Sequence, residues 1–429
     1  MAVVNGLNWS PPDGWIQLES ALEGVEIWGP APVEEDVEGP KTTRCRSCGA
    51  AARFDVNAGR LACPFCGWQD AAAEVVGRSA EAGEFTQASL AAGKQGFGVD
   101  RRELSCEQCG AAIALDEGVL SASCPFCASN QINVREQAEA SGLRPTALVR
   151  FSVLPKDIST AVKTWLGTGW FHPGGLGSVA SVDRFMGIYL PYWTFSAKLD
   201  SDWKAEVGTS RTESYRDSDG NHRTRTVIDW NWRSGHVHLD LRDTLIPGTT
   251  KVSETLLGRI AAFEMGDLVT YDAGLLAGWG AQTYDRSLPD AWEMGRHAMR
   301  ERARSACHSD TGSSHVRSFS MTADLDDESW RHVLLPVYVS AYRFADRTFV
   351  VVANGQTGEV AGQKPVAWWK VWTAIAAMLS PGIITGLIGI PLLLFAVGIF
   401  VLIVALIMLI AGVIGSIWVY NQAVQSEAL

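Results

Sequence analysis

No Asp, Glu, Lys or Arg occurs from Val371 to Ser426, a gap of 56 residues. A charge-free stretch of that length excludes a wholly soluble protein. The start, Met1 to Asn8, lacks both a basic cluster and an apolar core of useful length, so no signal peptide is expected. Cysteine is scarce outside one region: eight of the nine fall within residues 45–127, and only Cys307 stands apart. That confinement argues against a disulfide framework and for metal ligation. A basic run is missing as well. Lys+Arg total 36 against 47 Asp+Glu, for a net charge of −11. Such a chain is a poor general match for nucleic acid, whose binding rests on phosphate neutralisation. The 429 residues are about three times the roughly 150-residue prior for one domain. Several units and a sizeable core are expected.

The eight clustered cysteines form two matching sets. Cys45-x2-Cys48 is followed after 14 residues by Cys63-x2-Cys66, and Cys106-x2-Cys109 after 14 residues by Cys124-x2-Cys127. Each cysteine of the first set recurs 61 positions later, with its neighbours: Cys48-Gly49-Ala50-Ala51 against Cys109-Gly110-Ala111-Ala112, and Cys63-Pro64-Phe65-Cys66 against Cys124-Pro125-Phe126-Cys127. This is a duplication of one small unit. A C-x2-C turn puts two thiolates on one side of a tight knuckle. Two facing knuckles complete a tetrahedron of sulfur about 2.3 Å from zinc. Units this small cannot bury enough apolar surface to fold alone, so the metal must supply roughly 10–16 kcal/mol per site. Four thiolates leave no open position, which makes the zinc structural. Disulfides or a redox C-x-x-C explain four evenly repeated pairs less well, and iron is the minor alternative. Two zinc ribbons over residues 41–70 and 102–133 are expected, with two structural Zn2+ held by Cys45, Cys48, Cys63 and Cys66 and by Cys106, Cys109, Cys124 and Cys127.

Zinc ribbons often bind nucleic acid, but residues 1–145 hold 20 acidic and 11 basic side chains, a net of −9. Arg44, Arg46, Arg101 and Arg102 flank the knuckles without forming a positive stripe. A protein-docking or structural module is the preferred reading, and a membrane-bound nucleic-acid-binding regulator the alternative. Residues 1–40 form an acidic leader ending in Glu34-Glu35-Asp36-Val37-Glu38-Gly39-Pro40, read as a solvated linker. Residues 71–101 read as a second linker, with a short helix as the other option.

One spanning helix needs about 20 residues, so the charge-free tail suits two. Gly386, Gly389 and Pro391 mark the expected turn, with helices at 371–389 and 392–419 inside a membrane segment of 371–420; Ser380-Pro381-Gly382 is a kink or a competing turn. Trp368, Trp369, Trp372, Trp418 and Tyr420 would form interface belts on one face of the bilayer. Arg343, Arg347, Lys364 and Lys370 precede the membrane and favour the cytoplasmic side, as do eight thiols that need reduction. Both termini are therefore expected in the cytoplasm.

Between these parts, residues 145–367 read as a Trp-rich, β-dominated α+β domain. Residues 184–195 and 334–342 are aromatic, apolar strands, each with Leu-Pro followed by aromatics. Each is expected to end in a polar turn, Asp200-Ser201-Asp202 and Ala345-Asp346-Arg347, and the echo suggests a second duplication. A further hairpin is expected at Asp217–Asn221. Helices are expected at about 156–165 and from a Ser287 cap, with Pro289 in the first turn, to about 306. On the latter, Arg296, Arg300 and Arg304 form a basic stripe, read mainly as a solvated face partnered by Glu293 and Glu301. No catalytic constellation emerges, and no enzyme is expected. His236 and His238 share a strand face, but no third ligand stands out. Cys307-His308 are adjacent and so diverge. Gly174-Gly175-Leu176-Gly177 lacks the Gly-Lys-Ser/Thr of a phosphate loop. The 17 Trp are read as core and membrane belt rather than a ligand groove.

Several motifs carry a family resemblance. They are Asn354-Gly355-Gln356-Thr357-Gly358-Glu359-Val360-Ala361-Gly362-Gln363-Lys364-Pro365, Trp368-Trp369-Lys370, Leu190-Pro191-Tyr192-Trp193, Trp165-Leu166 with Trp170-Phe171, and Ser234-Gly235-His236-Val237. Together with the cysteines they make the chain resemble bacterial double-zinc-ribbon membrane proteins with two C-terminal transmembrane helices. Their ribbons are often labelled after those of transcription factors or replication-restart helicases. The resemblance implies association with SPFH (flotillin-like) and phage-shock-protein-A homologues in envelope stress. It implies a multi-pass inner-membrane adaptor that recruits such cytoplasmic partners, and it leaves the oligomeric state, homo-oligomer included, open. The acidic leader is not part of that pattern.

Overall fold

A computed structural model of the chain describes residues 15–18, 27–30, 44–71, 73–79, 82–84, 102–115, 124–129, 131–135, 143–176, 185–216, 221–344, 347–394 and 397–428. Most of the leader, much of the segment between the cysteine sets, Gly177 and residues 217–220, 345–346 and 395–396 lie outside that description, and with them most of the turns expected at Asp217–Asn221 and Ala345–Arg347.

In chain order, β1 (Trp15–Leu18) pairs with β2 (Ile27–Pro30), and β3 (Arg53–Asp55) with β4 (Arg60–Ala62). After β5 (Gly83–Glu84) come β6 (Arg102–Cys106), β7 (Ala112–Leu115) and β8 (Ile132–Arg135). The middle of the chain then runs β9 (Ala147–Val149), α1 (Pro155–Leu166), β10 (Met186–Arg216), β11 (His222–Pro247), α2 (Glu254–Arg259), β12 (Leu268–Thr270) and β13 (Gly280–Gln282). It continues through α3 (Leu288–Asp310), β14 (Val316–Met321), β15 (Asp324–Phe344), β16 (Arg347–Asn354) and β17 (Val360–Gly362). Two apolar helices close the chain, α4 (Trp368–Leu392) and α5 (Val397–Ala428).

One mixed sheet organises the middle, and its central pair is β10 with β15, antiparallel from Met186↔Val339 to Asp200↔Asp324. Both strands read as continuous apolar runs because both sheet faces are covered. Ile188, Leu190 and Tyr192 enter one core with Val333, Leu335, Val337 and Val339. Tyr189, Leu334 and Tyr338 enter another on the opposite face, with Phe151, Ile158, Val162 and Leu166. Proline is unfavourable inside a central strand because it removes a ladder donor. Here Pro191 sits where β10 changes its outer neighbour, from β13 at Ile188–Tyr189 to β11 at Tyr192. Pro336 sits at the matching place in β15, between β9 at Val333–Leu334 and β16 at Val337. Neither proline is asked for the missing hydrogen bond.

The order β9, α1, β10, β11 recurs as β13, α3, β15, β16, with β14 inserted. Each helix opens on Leu-Pro, Leu154-Pro155 and Leu288-Pro289. The Leu-Pro echo thus coincides with a repeated order of elements. Helix α3 starts as its sequence predicts: the Ser287 side chain accepts from the Asp290 N–H, and Pro289 lies in the first turn. It packs so tightly on β10 that a Cβ at Gly295 would lie 2.7 Å from the Phe195 ring.

Three expectations need correcting. Asp200-Ser201-Asp202 is no turn: β10 runs on to Arg216, paired with β11 as far as His222. Its carboxylates bond histidines directly across the ladder, so their polarity is met inside a strand. The first apolar helix runs unbroken through Gly386, Gly389 and Pro391 to Leu392, so the link to the second lies beyond Pro391, not at Gly386–Pro391. Gly382 and Gly389 instead let the helices approach: Cβ atoms there would lie 2.8 Å from Leu409 and 2.9 Å from Leu402. The last helix also runs past 419 to Ala428.

Both C-terminal helices are long and apolar enough to cross a membrane. Contacts of Gly382 with Leu409, Gly389 with Leu402 and Gly412 with Met378 show them packed antiparallel. Their base is tied into the body. Lys364 N–H donates to Ser426 O at 3.0 Å, Trp368 Nε1 to Glu427 Oε2 at 3.2 Å, and Lys370 Nζ to His172 O at 2.7 Å. Arg347 also bonds the Glu427 carboxylate. Lys364 Nζ caps the end of α1, donating to Trp165 O, Thr168 O and Thr168 Oγ1. Burial pushes its ammonium down to about 8.

Candidate metal centres

Each cysteine set closes into one cluster. In the first, Cys45 Sγ lies 3.5 Å from Cys66 Sγ, and Cys48 Sγ 3.5 Å from Cys63 Sγ. In the second, Cys106 to Cys127 is 3.6 Å and Cys109 to Cys124 is 3.7 Å. Within each set the four sulfurs lie within 4.8 Å of one another, and all nine cysteines of the chain are free. Four sulfurs about 2.3 Å from one zinc stand about 3.8 Å apart. The donor set and its spacing therefore fit a tetrahedral thiophilic ion with little rearrangement.

The knuckles follow from local sequence. Gly49, Gly67 and Gly110 have φ of +72°, +74° and +67°, and the fourth equivalent position is Ala128 at φ 57°. That left-handed residue turns the backbone so that its N–H bonds back to the first cysteine's carbonyl, as in Gly49 N to Cys45 O at 2.9 Å and Ala128 N to Cys124 O at 2.8 Å. Backbone N–H groups also address sulfur: Ser47 N–H donates to Cys45 Sγ at 3.3 Å. The Cys66 N–H, against desolvation, brings the Cys63 thiol down to about 7. Burial pushes the Cys124 thiol up.

The surroundings differ. β3 and β4 form a separate two-stranded sheet, held to the body by Phe54 N–H to Ala277 O at 3.2 Å and Arg150 to Gly59 O at 3.0 Å. β6, β7 and β8 join the main sheet through β7 against β13. Cys106, Cys124 and Phe126 belong to the core that holds Val252, Leu256 and Ile260.

Other sequence candidates resolve as follows. Cys307 is buried with Sγ 3.3 Å from Ser201 Oγ, whereas His308 stacks on Phe319 at 4.0 Å, so the two diverge. Arg296 pairs with Glu293 at 3.5 Å. Tryptophans 193, 203, 292 and 330 are core, and tryptophans 369, 372 and 418 are exposed on the apolar helices. His332 is a core histidine: Nδ1 donates to Leu143 O at 2.9 Å, and burial pushes its imidazole down to about 4.

Sequence reasoning missed the partners of His236 and His238, which are Asp200 and Asp202 on the facing strand. It also missed Asp243, which bonds Arg78 at 3.0 Å and the largely buried Arg331 at 3.1 Å. Both depend on strand register, which only pairing fixes; the β10 run through 200–202 was the available signal.

No protein-family model matches the chain, and no solved structure matches it. It is similar to the uncharacterized protein YdjG of Bacillus subtilis (strain 168), at 23% identity over 337 residues, covering 76% of this chain and 91% of that protein.

Proposed function

We propose that this protein is a non-catalytic, membrane-anchored adaptor. Zinc closes both four-cysteine clusters as ribbons. α4 and α5 cross the inner membrane as a hairpin, with both termini in the cytoplasm. The body recruits cytoplasmic partners of the SPFH and phage-shock-protein-A classes. The partner classes come from the family resemblance alone. The observation that carries the anchoring role is the tie between hairpin and body: Lys364 and Arg347 bond the last turn of α5, and Lys370 of α4 bonds His172 O, so the body is fixed at the bilayer. Lys364, Lys370 and Arg347 at that junction favour the cytoplasmic side, and reduced thiolates suit the same compartment. Zinc is favoured over iron because a closed four-thiolate site in a unit too small to fold alone serves folding. Tethering works by raising a partner's local concentration at the membrane.

The test compares cells making the full chain with cells making a chain truncated after Ala367. Partners of the stated classes should co-purify with the detergent-solubilised full chain and move from membrane to cytosol in the truncated strain. A full chain that retains no such partner, or a partner that stays on the membrane regardless, overturns the reading.

A further inference from the structure

The β10/β11 register sets Asp200 opposite His238 and Asp202 opposite His236, all on one face of the ribbon. The other face is core: Ser201, Trp203 and Ala205 are buried toward α3. Across β15, Asp324 stands opposite Asp200 and extends the row. The groups already form a chain of contacts. His236 Nδ1 lies 2.9 Å from Asp202 Oδ1, His236 Nε2 3.2 Å from Asp200 Oδ1, and His238 Nδ1 3.0 Å from that same oxygen. The side chains are accessible: His236 is 54% exposed, His238 57% and Asp200 40%. A shallow cleft of about 640 Å³ opens beside Asp202 and His236, lined also by Ser320 and Thr322.

We propose that this cluster is a third metal site, open and exchangeable, for a divalent transition ion of the zinc, nickel or cobalt kind. The ligands are His236 Nε2, His238 Nδ1 and Asp200 Oδ1, with water completing the shell. Two imidazoles and a carboxylate suit such ions, whereas magnesium and calcium prefer oxygen alone. Ligands about 2.1 Å from one ion stand about 3.0–3.4 Å from each other. Two of the three ligand separations already have that value; the two imidazoles stand farther apart than one ion can bridge, and both, being exposed, must turn toward it on binding. Asp202 is a positioning residue. It holds His236 Nδ1, so that Nε2 faces the ion, as carboxylates behind metal-bound histidines do. Asp324 adds negative charge to the row. Unlike the four-thiolate clusters, this site keeps open positions and faces water, so its metal would exchange with the surroundings.

The test uses the full, tag-free chain in detergent, with both cysteine clusters loaded with zinc. Ni2+ is titrated by calorimetry, and Co2+ by its visible spectrum. One binding event is expected, giving Co2+ the weak bands of nitrogen and oxygen ligands. It should vanish in the double variant His236→Ala/His238→Ala and fall at least tenfold in Asp200→Asn. In Asp202→Asn it should fall about 10–100-fold. Zinc content at the cysteine clusters should stay unchanged in each variant, which reports intact folding. No binding to the wild-type chain, equal binding by the double histidine variant, or Co2+ bands of thiolate type alone would overturn the proposal.

Discussion

The two cysteine modules share spacing, knuckles and neighbours, yet they stand differently in the molecule. Phe65 of the first Cys-Pro-Phe-Cys is 77% exposed, and Phe126 of the second is 4% exposed. Cys48 and Cys66 face solvent, whereas Cys109 and Cys127 are half-buried. The motif sets the metal geometry in both. What each module does for the rest of the chain is set by the surface around it. The second module is a piece of the main core that contains its own four-cysteine cluster. The first stands on its own two-stranded sheet, sends Phe54 into the core on the other face of the main sheet, and leaves its Phe65 knuckle exposed.

Removing a metal should expose this difference most strongly. Cys63→Ala and Cys124→Ala change equivalent positions of the two clusters, and under the proposed zinc loading each should cost the chain one zinc of two. A structural zinc supplies roughly 10–16 kcal/mol of folding energy, comparable with a whole domain's usual stability of about 5–15 kcal/mol. In the second module that loss reaches the sheet through β7 and β13. Cys124→Ala should therefore lower the thermal stability of the body and open it to protease. Cys63→Ala should free the β3–β4 hairpin and withdraw Phe54 from its core, a smaller loss because no strand of the main sheet goes with it. Metal analysis with thermal unfolding checks both, and equal damage from the two variants would break the contrast.

The phenylalanines give a smaller, cleaner comparison. Phe126→Ala deletes a ring packed among the second module's buried cysteines and α2, a change that costs about 3–5 kcal/mol. Phe65→Ala removes a ring that faces water and should change stability by no more than about 0.5 kcal/mol. Denaturant unfolding of the two variants measures both. If Phe65→Ala destabilised the chain as much as Phe126→Ala, the first module would be packed in solution rather than exposed.

The sequence made the clusters legible because C-x2-C spacing is local: a knuckle needs only its own few residues. The two apolar helices were legible for the same reason, since length and lack of charge suffice. Their turn was misplaced because glycine serves two purposes. Gly382 and Gly389 carry helix contact, and chain-local reasoning cannot separate that from a turn. Likewise Asp200 and Asp202 look like a turn until His236 and His238, more than thirty residues away, come into register. Pro191 and Pro336 misled less, because aromatic neighbours outweighed them. Why a sheet tolerates them required the order of strands.

The finest difference lies in a single methyl group. Three knuckles place glycine after the second cysteine, and the fourth places Ala128, at φ 57°. A non-glycine residue held in the left-handed region costs roughly 1–2 kcal/mol. Glycine there loses about 0.4–1 kcal/mol by loosening the unfolded chain. The strain is the larger quantity, so Ala128→Gly should stabilise the second module by about 0.5–1 kcal/mol. Gly67→Ala, the reverse change in the first module, should destabilise it by a similar amount. A Cβ at Gly67 meets nothing within 4 Å, so crowding does not confuse that comparison. Urea unfolding of both variants, zinc-loaded, reads the two signs. An Ala128→Gly chain that lost stability would mean the methyl group gains more from its burial beside Cys124 than the backbone conformation costs, and the two modules would then differ in their knuckles as well as in their surroundings.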